Sequence, residues 1–205
     1  MISIDITTNG AEITLPPRLE GFLNKQRLAV LNKAGARAAT NAAKEYHQEF
    51  KDAKKWRGKN YLGSGTGRSG EFGDEITQAW TTEGSDAEGA VISNDASFYR
   101  HKVLGGIIKP KKAKALTIPL VAEAVGRRAK DYERKYNDLF MLKKDYGSGK
   151  NFLFEVKNDK IRAVYMLLKS VTQDPWPGAL PDTESIAEGF TGAWVSALKV
   201  ESSLL

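Results

Sequence analysis

The chain has two histidines, His47 and His101, and no cysteine, which narrows its chemistry before any fold is considered. Disulfides, thiolate zinc sites and cysteine nucleophiles are excluded. Two histidines cannot form a histidine-rich metal cage, and neither sits in a recognisable catalytic motif. Both read as ordinary surface or half-buried side chains. Gly65-Thr-Gly-Arg-Ser-Gly70 has the G-x-G-x-x-G form of a dinucleotide fingerprint. That motif needs a strand before it and a helix after it, so that a pyrophosphate meets the helix N-terminus. Here a helix is expected before it and a strand after it, and a flexible loop is the better reading. No G-x-x-x-x-G-K-[ST] phosphate loop exists, since Arg68 is wrongly placed to serve as its lysine.

Ser196-Ala-Leu-Lys199 matches the short S-x-x-K pattern of acyl-transfer enzymes. It falls on an amphipathic terminal helix without the companion motifs that build such a site. Asp131, Glu133 and Asp138 are interleaved with Arg127, Arg128, Lys130, Arg134 and Lys135, the pattern of a solvated helix face and not of an acid/base pair. No catalytic residue, cofactor site or metal ligand is therefore assigned. The sharpest remaining feature is Lys109-Pro-Lys-Lys-Ala-Lys114, four lysines in six residues on a turn. Such a knob meets phosphate or carboxylate partners or stays in water.

The charge around that knob is uneven. The net charge is +6, and between Arg100 and Lys150 basic residues outnumber acidic ones 14 to 5. Past Asp174 the balance reverses, with Asp182, Glu184, Glu188 and Glu201 against Lys199 alone. A basic middle and an acidic end suit head-to-tail contact between identical subunits, which closes into a ring where the rotation permits. At 205 residues and 41% hydrophobic content the chain can bury a core as one domain, 1–205. No run approaches the roughly 18 apolar residues of a membrane span, and the N-terminus lacks a basic patch followed by an apolar stretch. A soluble, unsecreted protein without a membrane partner is expected.

Hydrophobic periodicity supplies the elements. Ile2, Ile4 and Ile6 alternate with polar residues, as do Ile13 and Leu15 beyond Asn9-Gly10, predicting an N-terminal hairpin over 1–17 on a type I′ turn. A helix follows from about Leu19 to Lys55, with a stripe of Leu28, Leu31, Gly35, Ala38, Ala42, Tyr46 and Phe50 that packs on a sheet or another subunit. Residues 56–73, rich in Gly, Ser and Thr, read as a long mobile loop. Asp74–Thr82 and Gly89–Asn94 read as strands, Phe98-Tyr99 as a short connecting segment, and Gly105–Pro119 as strand, lysine turn, strand. Pro119 makes the second of these short or an edge. Val121–Lys135 reads as helical, Leu139–Leu142 as a strand, and Asn158-Asp159 as the turn of a second hairpin opposing Val156 to Ile161, Glu155 to Arg162 and Phe154 to Ala163. After Asp174-Pro-Trp-Pro-Gly178, Asp182 caps a final helix over 181–199 that presents Ile186, Phe190, Ala193, Trp194, Ala197 and Leu198. The order predicts an α+β fold, a mostly antiparallel sheet packed by a long helix and a C-terminal helix.

Phe98-Tyr-Arg-His-Lys-Val-Leu-Gly-Gly-Ile-Ile-Lys-Pro-Lys-Lys-Ala-Lys-Ala-Leu-Thr-Ile-Pro119 resembles the signature of tailed-bacteriophage minor tail and virion-morphogenesis proteins. The likeness extends to the small-residue helix, the loop with Arg68-Ser-Gly, the segment containing Trp80, Tyr165-Met-Leu-Leu-Lys169, the Trp176-Pro-Gly178 break and the terminal helix. It covers roughly Leu19 to Leu198. Between Leu116 and Phe154 there is more inserted material than a compact member needs, including Arg127-Arg128 and the Gly147 loop. The resemblance implies a small α+β subunit without active site or cofactor. It would act in tail completion or head–tail joining, as a ring-forming homo-oligomer beside other tail or connector proteins. Its place would be the virion, and the host cytoplasm during assembly, with incidental contact to DNA passing through. The assembly contacts expected on this basis are Lys109, Lys111, Lys112, Lys114, Arg127, Arg128, Trp176, Asp182, Glu184 and Glu188. The alternative is a nucleic-acid-binding module, with the lysine turn and Arg127-Arg128 on phosphates and Tyr99, Tyr132 or Tyr136 stacking on bases.

Overall fold

A computed structural model describes residues 1–7, 23–56, 62, 69–141 and 151–203. In chain order the elements are β1 (Ile2–Thr7), α1 (Lys25–Asp52), α2 (Ser69–Gln78), β2 (Trp80–Ser85), β3 (Gly89–Asn94), α3 (Tyr99–Leu104), β4 (Gly106–Ile108), β5 (Leu116–Pro119), a 3₁₀ turn (Ala122–Ala124), α4 (Ala129–Lys135), β6 (Asn151–Lys157), β7 (Lys160–Leu168), β8 (Val171–Gln173) and α5 (Thr183–Ser203). The fold is α+β, and every strand pairing among the described residues is antiparallel. Two compact units form: Met1–Lys54, Gly73–Val103 and Trp176–Leu205 make the first, Lys55–Phe72 and Leu104–Pro175 the second.

In the first unit α1 starts at Asn24, whose side chain accepts from the Arg27 amide at 2.9 Å and so satisfies one orphan donor of the first turn. The buried face of α1 comprises Leu31, Asn32, Gly35, Ala36, Ala39, Thr40, Ala43, His47 and Phe50. It is wider than the expected stripe, in which Leu28, Ala38, Ala42 and Tyr46 are only half-buried. The reason is that α1 serves two neighbours, meeting α5 on one side and β2 and β3 on another. Toward α5, Gly35 lies so close to Phe190 that a Cβ there would stand 2.7 Å from the ring. Toward the sheet, the Thr40 and Thr82 hydroxyls share a hydrogen bond of 3.0 Å.

That sheet has the order β1-β3-β2. Along β1, Ile2, Ile4 and Ile6 are half-buried and Ser3, Asp5 and Thr7 exposed, as the alternation requires. Its observed partner is β3; the Asn9-Gly10 turn and the expected return strand lie outside the described residues. So do the helix start near Leu19 and most of the 56–73 loop. The expected strand over Asp74–Thr82 is corrected: the chain is helical to Gln78, and the strand begins at Trp80. Phe72, Ile76 and Trp80 are four apart, a spacing that serves a helix face as well as a short strand. The helix end is sealed from afar, for the Asn94 side chain donates to the Ile76 carbonyl at 2.8 Å, a group left without an intrahelical partner. Phe98-Tyr99, expected as a connector, opens the short helix α3. The terminal helix runs from Thr183 to Ser203, with the Asp182 carboxylate accepting from the amides of Glu184 and Ser185.

In the second unit one sheet has the order β5-β7-β6, and β4 pairs with β8. Asn158 and Asp159 have φ of 53° and 58°, the left-handed pair that a two-residue type I′ turn needs. The expected register follows: Val156 opposes Ile161, Glu155 opposes Arg162 and Phe154 opposes Ala163. A bulge then places both Val164 and Tyr165 on the inner face. The core is Ala124, Tyr132, Val164 and Tyr165, with Val121, Ala129, Leu139 and Leu153 packed on it. β4 and β5 form where expected but pair with β8 and β7, not with each other. β5 is a four-residue edge strand ending at Pro119, as that residue demands. The expected Val121–Lys135 helix is split at Gly126, whose φ of 72° no right-handed helix accepts. The strand near Leu139–Leu142 reduces to one bridge between Phe140 and Phe154; Leu142 and the 146–150 loop lie outside the described residues.

The Gly35–Phe190 contact gives a stability prediction. Gly35→Ala gains about 1 kcal/mol of helix propensity, but overpacking costs about 1–3 kcal/mol. A lower urea midpoint is expected, recovered when Phe190→Leu makes room. An unchanged midpoint in the single variant would show that the helices separate freely.

Candidate functional site

The lysine turn leaves β4 at Ile108 and enters β5 at Leu116, so its two stems are fixed by β8 and β7. Lys109, Lys111, Lys112 and Lys114 are all exposed. In the same unit Arg128 is exposed at the N-cap of α4. Arg127 is half-buried and donates from Nε to the Glu123 carbonyl at 3.1 Å, with its guanidinium 5.8 Å from the Tyr136 ring centroid.

The other expected contacts lie in the first unit. Trp176 is half-buried: its amide donates to the Lys102 carbonyl at 2.7 Å, and the Lys102 ammonium sits 4.4 Å from its ring centroid, within cation–π range. Burial holds the Lys102 pKa below its ordinary value. Asp182 is engaged as the cap of α5, and the Ser185 amide and hydroxyl and the Glu184 amide lower its pKa. Glu184 and Glu188 are exposed, one turn apart on α5. Two of the three tyrosines proposed for base stacking are unable to do so, since Tyr99 and Tyr132 are fully buried; Tyr136 is 39% exposed.

His47 corrects the expectation of a surface or half-buried side chain, for it is fully buried; His101 is half-buried. The Trp80 indole N–H donates to His47 Nδ1 at 2.8 Å. An accepting Nδ1 carries no proton, so Nε2 carries it and donates to the Ala179 carbonyl at 3.0 Å. The Tyr99 hydroxyl donates to the same carbonyl at 3.0 Å, and the Tyr46 hydroxyl to Gly178 at 2.8 Å. These donors fasten the Trp176–Ala179 turn to α1 and α3. Burial lowers the His47 pKa, opposed by the bond to Ala179.

The second unit also buries a charge that sequence reasoning placed only as one of a cross-strand pair. Glu155 is fully buried and accepts from Tyr132 Oη at 3.0 Å, Asn137 Nδ2 at 2.9 Å and Arg162 Nε. Arg162 Nη2 also reaches Glu123 Oε1 at 3.2 Å, which Lys157 Nζ meets at 3.1 Å. Burial alone would raise the Glu155 pKa, but the bonds from Asn137, Arg162 and Tyr132 prevail and hold it below its ordinary value. The Glu123 pKa is held down to about 2 by its own backbone N–H and by Lys157 and Arg162.

The remaining motifs form no site among the described residues. α2 does begin at Ser69, so a helix and not the expected strand follows the Gly65–Gly70 motif; the element before it in the chain is the helix α1, and residues 65–68 lie outside the described residues. The Ser196 hydroxyl donates to the Gly192 carbonyl at 2.8 Å. Among the described residues no group of three His, Cys, Asp or Glu could hold a metal ion, and no helix is long and apolar enough to cross a membrane. No family model, curated protein or solved structure matches the chain.

The two buried centres titrate in different windows. A folded-state pKa below the unfolded one means that stability is present above the unfolded value and lost as pH falls through the folded one. For His47 that loss begins at its ordinary 6.5; for Glu155 and Glu123 it begins at 4.5 and, for Glu123, runs down to about 2. Protection factors for amide exchange, taken against the intrinsic rate at each pH, should therefore fall in the first unit between pH 6.5 and 4.5 while those of the second hold. His47→Gln, which does not titrate, should flatten that slope. Flat protection of the parent chain across this window would contradict a neutral His47. His47→Leu leaves the Trp80 N–H without its acceptor and should lower stability by about 1–3 kcal/mol, read from urea midpoints.

Proposed function

We propose that this chain is a structural component of a tailed-phage particle, acting in tail completion or head–tail joining through contacts between subunits. The observation that carries the reading is the opposite charge held exposed on ordered elements of one chain: the lysines between β4 and β5, and Glu184 and Glu188 on α5. The resemblance over Phe98–Pro119 supports it, since the lysine turn of that segment stands between two anchored strands. A heterologous contact of this kind repeats from copy to copy and closes into a ring where the rotation allows. Its charges guide encounter and register more than they add affinity. Trp176 and Asp182 act inside the subunit in this reading: the first latches the turn before α5, and the second starts α5. The working place is the virion, reached from the host cytoplasm, beside other tail or connector proteins.

The double variant Lys111→Glu/Lys112→Glu tests this. Exposed charges contribute little to stability, so the unfolding midpoint should stay put while self-association by light scattering and incorporation into particles by mass spectrometry both fall several-fold. Normal incorporation with normal stoichiometry would reject the role of the lysine turn. If the variant assembles normally but loses a steeply salt-dependent affinity for DNA, the turn serves phosphates instead.

A further inference from the structure

The Trp176–Ala179 turn is held by hydrogen bonds more than by buried side chains. Pro177 and Gly178 are exposed, Trp176 is half-buried, and of the turn only Ala179 is buried. Its ties include the Tyr46 hydroxyl on the Gly178 carbonyl, His47 Nε2–H and the Tyr99 hydroxyl on the Ala179 carbonyl, and its own Trp176 amide on the Lys102 carbonyl. The backbone lies close on α1, for a Cβ on Gly178 would stand 3.1 Å from the Tyr46 hydroxyl and from the Phe50 ring. α5 is seated on α1 differently, through side chains: Phe190 lies against Gly35, the Trp194 indole donates to the Asn32 side chain, and Ile186 is buried. A segment with few buried apolar contacts opens at lower cost than a packed helix face.

One of these ties can be switched by a proton. His47 Nδ1 accepts from the Trp80 indole N–H at 2.8 Å, and the indole is itself fully buried. A proton on Nδ1 would set two N–H groups face to face at that separation, with no lone pair between them. The imidazolium must then leave the indole, and the bond from Nε2 to Ala179 leaves with it. In an open turn the N–H groups of the ring meet water instead, which removes the penalty of leaving them unmet.

We propose that His47 is an acid-released catch: protonation at Nδ1 undocks the Trp176–Ala179 turn from α1 and α3 while α5 stays seated on α1. The chain between the end of β8 at Gln173 and the start of α5 at Thr183 is thereby unfastened. The device needs no partner and stands apart from the subunit-contact reading.

The titratable groups in contact with the ring are Tyr46 of α1, with centroids 5.6 Å apart, and Tyr99 of α3, at 5.3 Å; β2 contributes Trp80, which does not titrate. Burial holds both phenols above their ordinary values, so neither changes charge in the acid range. Asp182, just beyond the turn, acts on Tyr46, and its own lowered pKa keeps it ionised over the same range. At the other end of the turn the Lys102 ammonium stands over the Trp176 ring. Burial, opposed by the bond to Ala179, lowers the His47 pKa from its ordinary 6.5, so the open turn binds the proton that the closed turn excludes. Opening therefore becomes easier as pH falls below 6.5, by up to about tenfold per pH unit until the folded value is reached.

Nitrogen NMR of the imidazole at neutral pH is expected to show the Nε2–H tautomer of His47. The Nδ1–H tautomer, or an imidazolium, overturns the proposal whatever any variant does. Protection factors then locate the opening. The Trp176 and Ala179 amides and the Trp80 indole N–H should lose up to about tenfold per pH unit below 6.5, while α1 amides around Ala39 and α5 amides around Phe190 hold. His47→Gln should remove that dependence. Tyr99→Phe takes a donor from the same carbonyl and adds no titrating group, so it should lower protection of the turn several-fold at every pH and leave the slope in place. Equal losses in the turn, α1 and α5 would assign the proton to global unfolding and overturn the catch, as would an unchanged slope in a folded His47→Gln. Should that variant fail to fold, the tautomer and the parent profile decide alone.

Discussion

One carbonyl oxygen, that of Ala179, holds the first unit in register. It receives the His47 imidazole N–H from α1 and the Tyr99 hydroxyl from α3, while the Trp80 indole at the start of β2 fixes which nitrogen of the imidazole can donate. Four separate stretches of chain thus converge within hydrogen-bonding distance in a site closed to water. Each bond is modest against the same bond made to water, but any one left unmade is expensive because nothing else can satisfy the group. The arrangement therefore selects one packing of α1, β2 and α3 around the turn that leads into α5. The close approach of Gly35 to Phe190 is then imposed on helices whose ends are already tied.

The second unit solves a harder electrostatic problem by the same means. Burying a carboxylate carries a desolvation cost of several kcal/mol, and Glu155 meets it with three donors from β7, α4 and the segment after α4. A buried ion pair of this type is weak evidence for stability. Its effect here is on geometry: with Glu155 committed inward, Val156 and Ile161 face outward at the hairpin tip, where both are exposed.

Local chemistry made much of this legible in the sequence. Asn158-Asp159 announced its turn, and with it the register of β6 against β7, because few residues accept two successive left-handed conformations. Asp182 marked the start of α5, Pro119 marked an edge, and the alternation of Ile2, Ile4 and Ile6 marked the inner side of β1. The failures have a common cause in partners far along the chain. Residues 72–80 carry a periodicity that suits helix or strand, and Asn94, which seals the helix, is invisible to any local window. His47 looked ordinary because its partners stand 33 and 132 residues away. Which face of the β6–β7 hairpin is interior was equally hidden, since alternation puts Val156 and Ile161 together but not inside. Lys109, Lys111, Lys112 and Lys114 were read as an exposed knob and are one; that β4 and β5 belong to different sheets depended on partner strands far downstream, β8 and β7.

The bond from the Trp176 amide to the Lys102 carbonyl also bears on how the chain is threaded. The path leaves the first unit just after Lys102 and comes back at Trp176, and that bond clasps exit to return. Inside the second unit the corresponding ends are clasped too, by Gly106 against Gln173. The second unit draws its chain from this excursion and from Lys55–Phe72. For the first unit the stretch Leu104–Pro175 amounts to a closed loop, whose entropic cost grows only as the logarithm of its length. A stretch whose ends are clasped in this way can lengthen or shorten while the hydrogen bonds that hold the first unit stay as they are.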